Sequence, residues 1–346
     1  MKVLSIIGHF AFGKNYLDGQ TIKTKIMTDE LELQLGKEQV VKFDTHGKYK
    51  TLLKAPFQVI KALKRSKNVL IFPAHNGLRV FAPLLSFFKK FFKGRRLHYS
   101  VIGGWLPELL KHKKRLIKSL NRFDGIYVET NTMKNAIEEL GVKNVYVVPN
   151  CKKLHVLSNE ELIYPSSMPY KLCTFSRVMR EKGIEDALNA VTFINKKYGK
   201  VILTLDIYGQ VDSAQEEWFE LLQKDFPEYI RYCGVVDYDN STNVIKDYCA
   251  LLFPTHYDGE GFAGTLIDAM AAGVPVITSD WKYNSDIVKD GKTGFIYCTH
   301  NQEELVAKIE LMIERQTVWC DMKSNCLKEA MKYLPEKVIG IIVEKL

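Results

Sequence analysis

Short apolar runs alternate with amphipathic stretches along most of the chain. Val3–Ile7, Val40–Asp44, Val69–Pro73, His98–Ile102, Gly125–Glu129 and Val145–Val148 each have the length and composition of a buried strand. Between them, residues 21–36, 51–66 and 131–140 repeat apolar positions at helical spacing. A proline- and serine-bearing stretch, IYPSSMP at 163–169, interrupts the pattern and is the expected linker. Beyond it, Lys171–Ser176, Leu203–Tyr208, Tyr229–Cys233, Ala250–Pro254 and Pro275–Thr278 read as strands, and 182–198, 213–225, 241–248 and 302–315 as helices. Such alternation predicts an α/β chain of two doubly wound domains with parallel sheets, over 1–165 and 166–329. The end of the chain, 317–346, is helical in pattern. Its last part, from about 330, is expected to pack back on the first domain.

The stretch DGEGFAGTLIDAMAAGVPVITSD, residues 258–280, shows the local grammar most clearly. The strand ending at Pro254 leads into a loop of Asp and Gly. A helix over Thr265–Ala272 follows, with Gly273 as its C-cap and Pro275 beyond. Glu260 and Asp268 therefore flank the start of a helix beyond the C-terminal end of a strand. The peptide N–H groups there favour an anion. Thr265-x-x-Asp268 is equally a capping box, and Glu260 equally a solvated loop residue, so this stretch alone leaves both readings open.

Composition narrows the class. With 346 residues, 46% hydrophobic and 26% charged, the chain is that of a globular protein large enough for two domains. No apolar run has the length of a spanning helix, and MKVLSIIGHF reads as a first core strand rather than a signal peptide. Seven scattered cysteines without a C-x-x-C pair, two of them (Cys173 and Cys249) in apolar runs, point to buried thiols in a reducing cytoplasm. No G-x-G-x-x-G follows the first strand of either half, and no G-x-x-x-x-G-K-[ST] occurs. This argues against nicotinamide enzymes and P-loop ATPases.

Charge separates the halves. Residues 1–165 carry 29 Lys+Arg against 13 Asp+Glu, a balance of +16, whereas 166–346 carry 20 against 27, a balance of −7. The excess concentrates at 81–96, where aromatics interleave with five cations, and at 109–118, with five more. An anionic membrane surface suits residues 81–118. Two other readings remain open here: a solvated basic face above a core stripe, and single-stranded nucleic acid.

The second half opens with the strand Lys171–Ser176, then Arg177, then Lys182-Gly183 at the start of a helix. A guanidinium fork and an ammonium at the end of a first strand suit a diphosphate, although Arg177 alone reads as an exposed cation near Glu181 and Glu185.

The joint pattern SRVMREKG at 176–183, EGFAGTLIDAMAAGVPVITSD at 260–280 and DIVKDGKTGFIY at 286–297 resembles glycosyltransferase family 4, the retaining GT-B enzymes, of the bacterial capsule and surface-polysaccharide kind. The family's paired acids, E-x7-E, correspond to Glu260-x7-Asp268. The resemblance covers the second half well, and the first half through Asp18-Gly-Gln-Thr21. It implies a GT-B fold of two Rossmann-like domains facing a central cleft. It further implies a metal-independent hexosyltransferase with no cofactor. The donor is a nucleotide sugar, UDP-sugar favoured, and the acceptor a lipid-linked saccharide. The setting is the cytoplasmic face of the cell membrane, in surface polysaccharide biosynthesis.

By that resemblance Arg177 and Lys182 neutralise the leaving diphosphate and Glu260 accepts hydrogen bonds from the donor sugar. Gly261, Phe262 and Ala263 offer backbone N–H groups, Asp268 holds the ribose diol, backbone at Val235 meets the base, and Gly19 lets the diphosphate approach the first domain's backbone. Two departures stand out. Asp268 is one methylene shorter than the usual Glu. The family's His after a first-domain strand is replaced at Ile102 by Gly103-Gly104-Trp105, which is assigned to the acceptor; His75, in PAHNG, is the other candidate for the catalytic position. Asp237-x-Asp239 matches a metal-binding D-x-D but follows the Cys233-Gly234 turn, so a solvated loop is expected there. The rival readings are a GT-B nucleotide-sugar epimerase, which needs no acceptor, and a basic nucleic-acid-binding protein. On the leading reading no nucleic acid is expected as a partner.

Overall fold

The structure is a computed structural model and describes all residues except 13–18, 47–48, 165–166 and 315. The described residues form two units, Met1–Lys153 with Tyr333–Leu346, and Leu154–Lys332. The division falls ahead of the expected linker, whose residues 165–166 lie outside the described part. The reason is packing. Leu157 and Leu162 bury against Leu327, and the Leu157 N–H donates to the Ala271 carbonyl at 3.0 Å.

In unit 1, β1 (Lys2–Gly8), β2 (Val40–Asp44), β3 (Ser66–Ile71), β4 (Arg96–Ser100), β5 (Gly125–Val128) and β6 (Val145–Val147) form a sheet in the order β2-β1-β3-β4-β5-β6. Every pairing is parallel. Parallel neighbours need long crossovers, which the helices between the strands supply. The C-terminal helix Pro335–Val343 belongs to this unit. Its Val338, Ile339 and Ile342 share one core with Leu4 of β1 and with Met27 and Leu31 of helix Gly19–Leu35.

In unit 2, β7 (Tyr170–Phe175), β8 (Leu203–Tyr208), β9 (Ile230–Gly234), β10 (Ala250–Phe253), β11 (Val276–Ser279) and β12 (Gly294–Tyr297) form the order β12-β11-β10-β7-β8-β9, again all parallel. Read from β9, this is the dinucleotide-fold order, first strand at the centre. The chain reverses direction across each sheet once. In unit 1 the reversal lies between β1 and β3, in unit 2 between β7 and β10. The loops beyond the C-terminal ends of those strand pairs border the crevice where such sheets bind ligands.

Two local details bear on readings that the sequence left open. Thr265 is not a helix cap. Helix Gly264–Ala271 has Ala263 as its N-cap residue, and the buried Thr265 Oγ1 has no hydrogen-bond partner. The basic stretch is also less free than its sequence implies. Lys89 Nζ is held 2.6 Å from Asp124 Oδ2 and 3.0 Å from the Arg122 carbonyl. Phe81 and Leu85 of helix His75–Phe88 face the core, while Phe87 and Phe91 are exposed.

Candidate active site

The unit 2 crevice is built by two loops that touch. After β7 the chain runs through Arg177 to a turn at Arg180–Lys182, then enters helix Ile184–Tyr198 through Gly183. Gly183 has φ +72°, and a Cβ there would lie 2.2 Å from the Pro254 carbonyl oxygen, so glycine alone lets this turn lie against the end of β10. Contact at that point brings Lys182 to the loop after β10. Its Nζ lies 2.5 Å from Glu260 Oε2, and the Thr255 hydroxyl donates to the same oxygen at 3.0 Å. Lys182 is only 9% exposed and Glu260 6%. Glu260 is thus not a solvated loop residue. Buried charge of this kind persists because it is paired and hydrogen-bonded.

Aromatic faces complete the cation site. Lys182 Nζ lies 5.1 Å from the ring centre of Tyr257 and 5.3 Å from that of Phe253. The Arg177 guanidinium lies 5.7 Å from the same Tyr257 ring, so the two cations share one platform. Arg177 is half-exposed and also pairs with Asp212 at 3.1 Å.

Gly261, Phe262 and Ala263 are buried and lead straight into helix Gly264–Ala271, whose N–H groups ahead of Leu266 precede the intrahelical ladder, while the Leu266 N–H donates to the Ala263 carbonyl at 3.1 Å. Asp268 is buried on that helix, where the Ser241 hydroxyl donates to its Oδ1 at 2.9 Å. Val235 is exposed just past β9, at the edge of the sheet. Asp237 and Asp239 are exposed on the following turn.

Unit 1 brings together the two acceptor candidates that its sequence left as alternatives. His75 opens helix His75–Phe88 immediately beyond β3, and its ring stacks on Trp105 at 4.0 Å between centres. Trp105 is fixed by its indole N–H, which donates to the Ile102 carbonyl at 2.7 Å. Gly103 takes φ +82° and lies under the indole. Burial, and then the charge of Arg79, hold the His75 imidazole below its ordinary pKa. Asp18 lies outside the described residues. Gly19 is the first residue of its helix, and the Gln20 side-chain amide donates to the Phe72 carbonyl beyond β3.

Sequence reading missed Thr255, Tyr257 and Ser241, which orient Glu260, the two cations and Asp268. It also missed His9 and His46, whose rings meet at 3.1 Å between Nδ1 of His46 and Nε2 of His9, with His9 Nδ1 2.7 Å from the Thr21 hydroxyl. For His9, His46, Thr255 and Tyr257 the available signal was position, just beyond the end of a strand; Ser241, which opens helix Ser241–Ile245, carried no such signal.

Residues 159–333 match the family model described as glycosyl transferases group 1. That is half of the chain and spans nearly all of unit 2. The chain belongs to this family. It is 27% identical over 227 residues to the Streptococcus gordonii UDP-N-acetylglucosamine–peptide N-acetylglucosaminyltransferase GtfA subunit, covering 63% of this chain and 44% of that protein. It is 22% identical over 237 residues to the Staphylococcus aureus poly(ribitol-phosphate) alpha-N-acetylglucosaminyltransferase, covering 66% and 45%. The matched region thus spans less than half the length of these relatives. The crystal structure of Anabaena HepE in complex with UDP covers 99% of both chains with a TM-score of 0.74 at 16% identity, which establishes the GT-B fold. Within this group 1 glycosyltransferase, the paired acids Glu260 and Asp268 both lie in the matched unit, on the loop and helix that follow β10.

Proposed function

We propose that this glycosyltransferase moves a sugar from a UDP-sugar to a lipid-linked saccharide with retention of anomeric configuration and without a metal. The setting is surface polysaccharide biosynthesis at the inner face of the cell membrane. The observation that carries the reading is the buried Lys182–Glu260 pair at the β7/β10 reversal, beside an open helix start. Glu260 Oε2 is occupied by Lys182 and Thr255, while Oε1 has no hydrogen-bond partner among the described residues and is left to accept from a donor-sugar hydroxyl. The names of the relatives and the UDP bound to HepE support the nucleotide.

The chemistry follows from charge. The C1–O bond to the diphosphate breaks and a C1–O bond to the acceptor hydroxyl forms. The acceptor proton goes to the leaving phosphate oxygen. Negative charge grows on the diphosphate as the sugar becomes oxocarbenium-like. Lys182, Arg177 and the N–H groups at Gly261–Ala263 and the helix start are preorganised for that charge. Asp268 holds the ribose diol, backbone at Val235 meets the base, and the small Gly19 allows close approach of the diphosphate. In unit 1, His75 serves the reacting sugar, and Gly103, Gly104 and Trp105 line the acceptor site. Exposed Phe87 and Phe91, with Lys90 and Lys93, form the membrane contact. No helix among the described residues is long and apolar enough to cross a membrane.

Glu260→Gln tests the reading, because it keeps the volume and removes the charge. Transfer from a UDP-sugar is expected to fall about 100-fold or more, with UDP affinity nearly unchanged. Equal loss of both contradicts the sugar role.

A further inference from the structure

Unit 1 contains a cavity of about 740 Å³ that the donor chemistry does not use. It lies between helix His75–Phe88 and the segment Lys111–Ser119. Arg79 lines one wall, and Lys111, His112, Lys113, Lys114 and Arg115 line the other. No carboxylate lines it among the described residues, and only Lys111 has an acid partner, Glu108 at 2.5 Å. Four other lysines of the unit do have acid partners. Lys23, Lys42, Lys89 and Lys134 stand against Glu129, Glu32, Asp124 and Glu138. Four cations around one concavity without a counter-charge repel one another unless an anion enters.

The cavity has a direction. Arg79 follows His75 by four residues on one helix, so their side chains share a face about 6 Å apart along the axis. The cavity therefore begins one turn from the His75–Trp105 stack and extends away from it along the helix. Two guanidinium forks and two ammonium groups match an anion with several oxygens and more than one charge. A single carboxylate would satisfy one cation.

We propose that this cavity binds the diphosphate or phosphodiester group of the acceptor, placing the accepting saccharide at His75 and Trp105. The inference rests on the acceptor reading of unit 1 and names the chemical group it recognises. Such a group comes either from a lipid headgroup or from a soluble phosphorylated chain.

The test uses the full chain with saturating UDP, so that the donor site is closed to the probe. Inorganic pyrophosphate is titrated by calorimetry into the wild type and into Arg79→Ala/Lys114→Ala, two exposed positions that the fold does not need. Binding to the wild type, weakened tenfold or more in the variant and falling with added salt, is expected. No binding to the wild type, or equal binding to both, overturns the proposal. The probe reads the cavity whether or not transfer is found, so failure of the cavity and failure of the transferase reading are separable. Sedimentation with vesicles of phosphatidylglycerol or of phosphatidylcholine names the source. Loss of phosphatidylglycerol binding in the variant assigns the anion to a lipid headgroup. Retained vesicle binding alongside lost pyrophosphate binding assigns it to a soluble chain.

Discussion

Lys182 Nζ lies 2.5 Å from Glu260 Oε2 across 78 residues of sequence, and both side chains are buried. Each charge is tolerable there because of the other. Glu260→Ala strands the ammonium and is expected to cost about 3–5 kcal/mol in stability. Adding Lys182→Met should recover most of that loss, a coupling that urea titration of the four proteins measures directly. Additive losses would contradict the pairing.

Gly183→Ala should be among the most damaging single-methyl changes. The new Cβ would meet the Pro254 carbonyl oxygen at 2.2 Å while the backbone stays at positive φ. A loss of at least about 2 kcal/mol is expected from conformational strain and crowding together. Thermal denaturation reads the effect, and a melting temperature matching the wild type rules out the close contact of the two loops.

Arg79 lowers the pKa of His75 by its charge, second to the effect of burial. Arg79→Ala is therefore expected to move the His75 titration upward, and Arg79→Lys to leave it in place. NMR titration of the imidazole protons provides the check. An unmoved midpoint in Arg79→Ala would show that burial alone sets it.

Lys323 is fully buried, and its ammonium donates to the Gly273 carbonyl at 3.2 Å, just past the C-terminal end of helix Gly264–Ala271. Burial pushes its pKa below the ordinary 10.5. The folded chain then holds this proton less tightly than the unfolded chain. The residue's contribution to stability consequently rises with pH between its folded pKa and 10.5. Lys323→Met removes that dependence. Urea unfolding across about pH 7 to 10 should show wild type gaining on the variant as pH rises. A constant difference contradicts the depressed pKa.

The alternating pattern carried the fold because each run was bounded. Val40–Asp44 and Leu203–Tyr208 are strands over the expected residues. β12 was missed: Gly294–Tyr297 has four residues behind a turn, too short to show a period of its own. Thr265 fits the spacing of a cap, but Gly264 already takes helical geometry and Ala263 is the N-cap residue, so the helix begins two residues earlier than the motif implies. The site was legible as residue types and loop positions. Its pairing was not, because the contact between Lys182 and Glu260 depends on β7 lying beside β10, and local sequence does not encode strand order. The same limit hid the tie between Lys89 and Asp124 on separate elements of unit 1.

The central claim is that Lys182 meets a diphosphate at the β7/β10 reversal. Calorimetric titration of UDP into wild type and into Lys182→Met/Glu260→Gln tests it most directly, since the double variant removes the ammonium without stranding a charge. A fall in UDP affinity of about 10- to 100-fold is expected from the loss of one charge-assisted contact. Unchanged affinity in a normally folded double variant would contradict it.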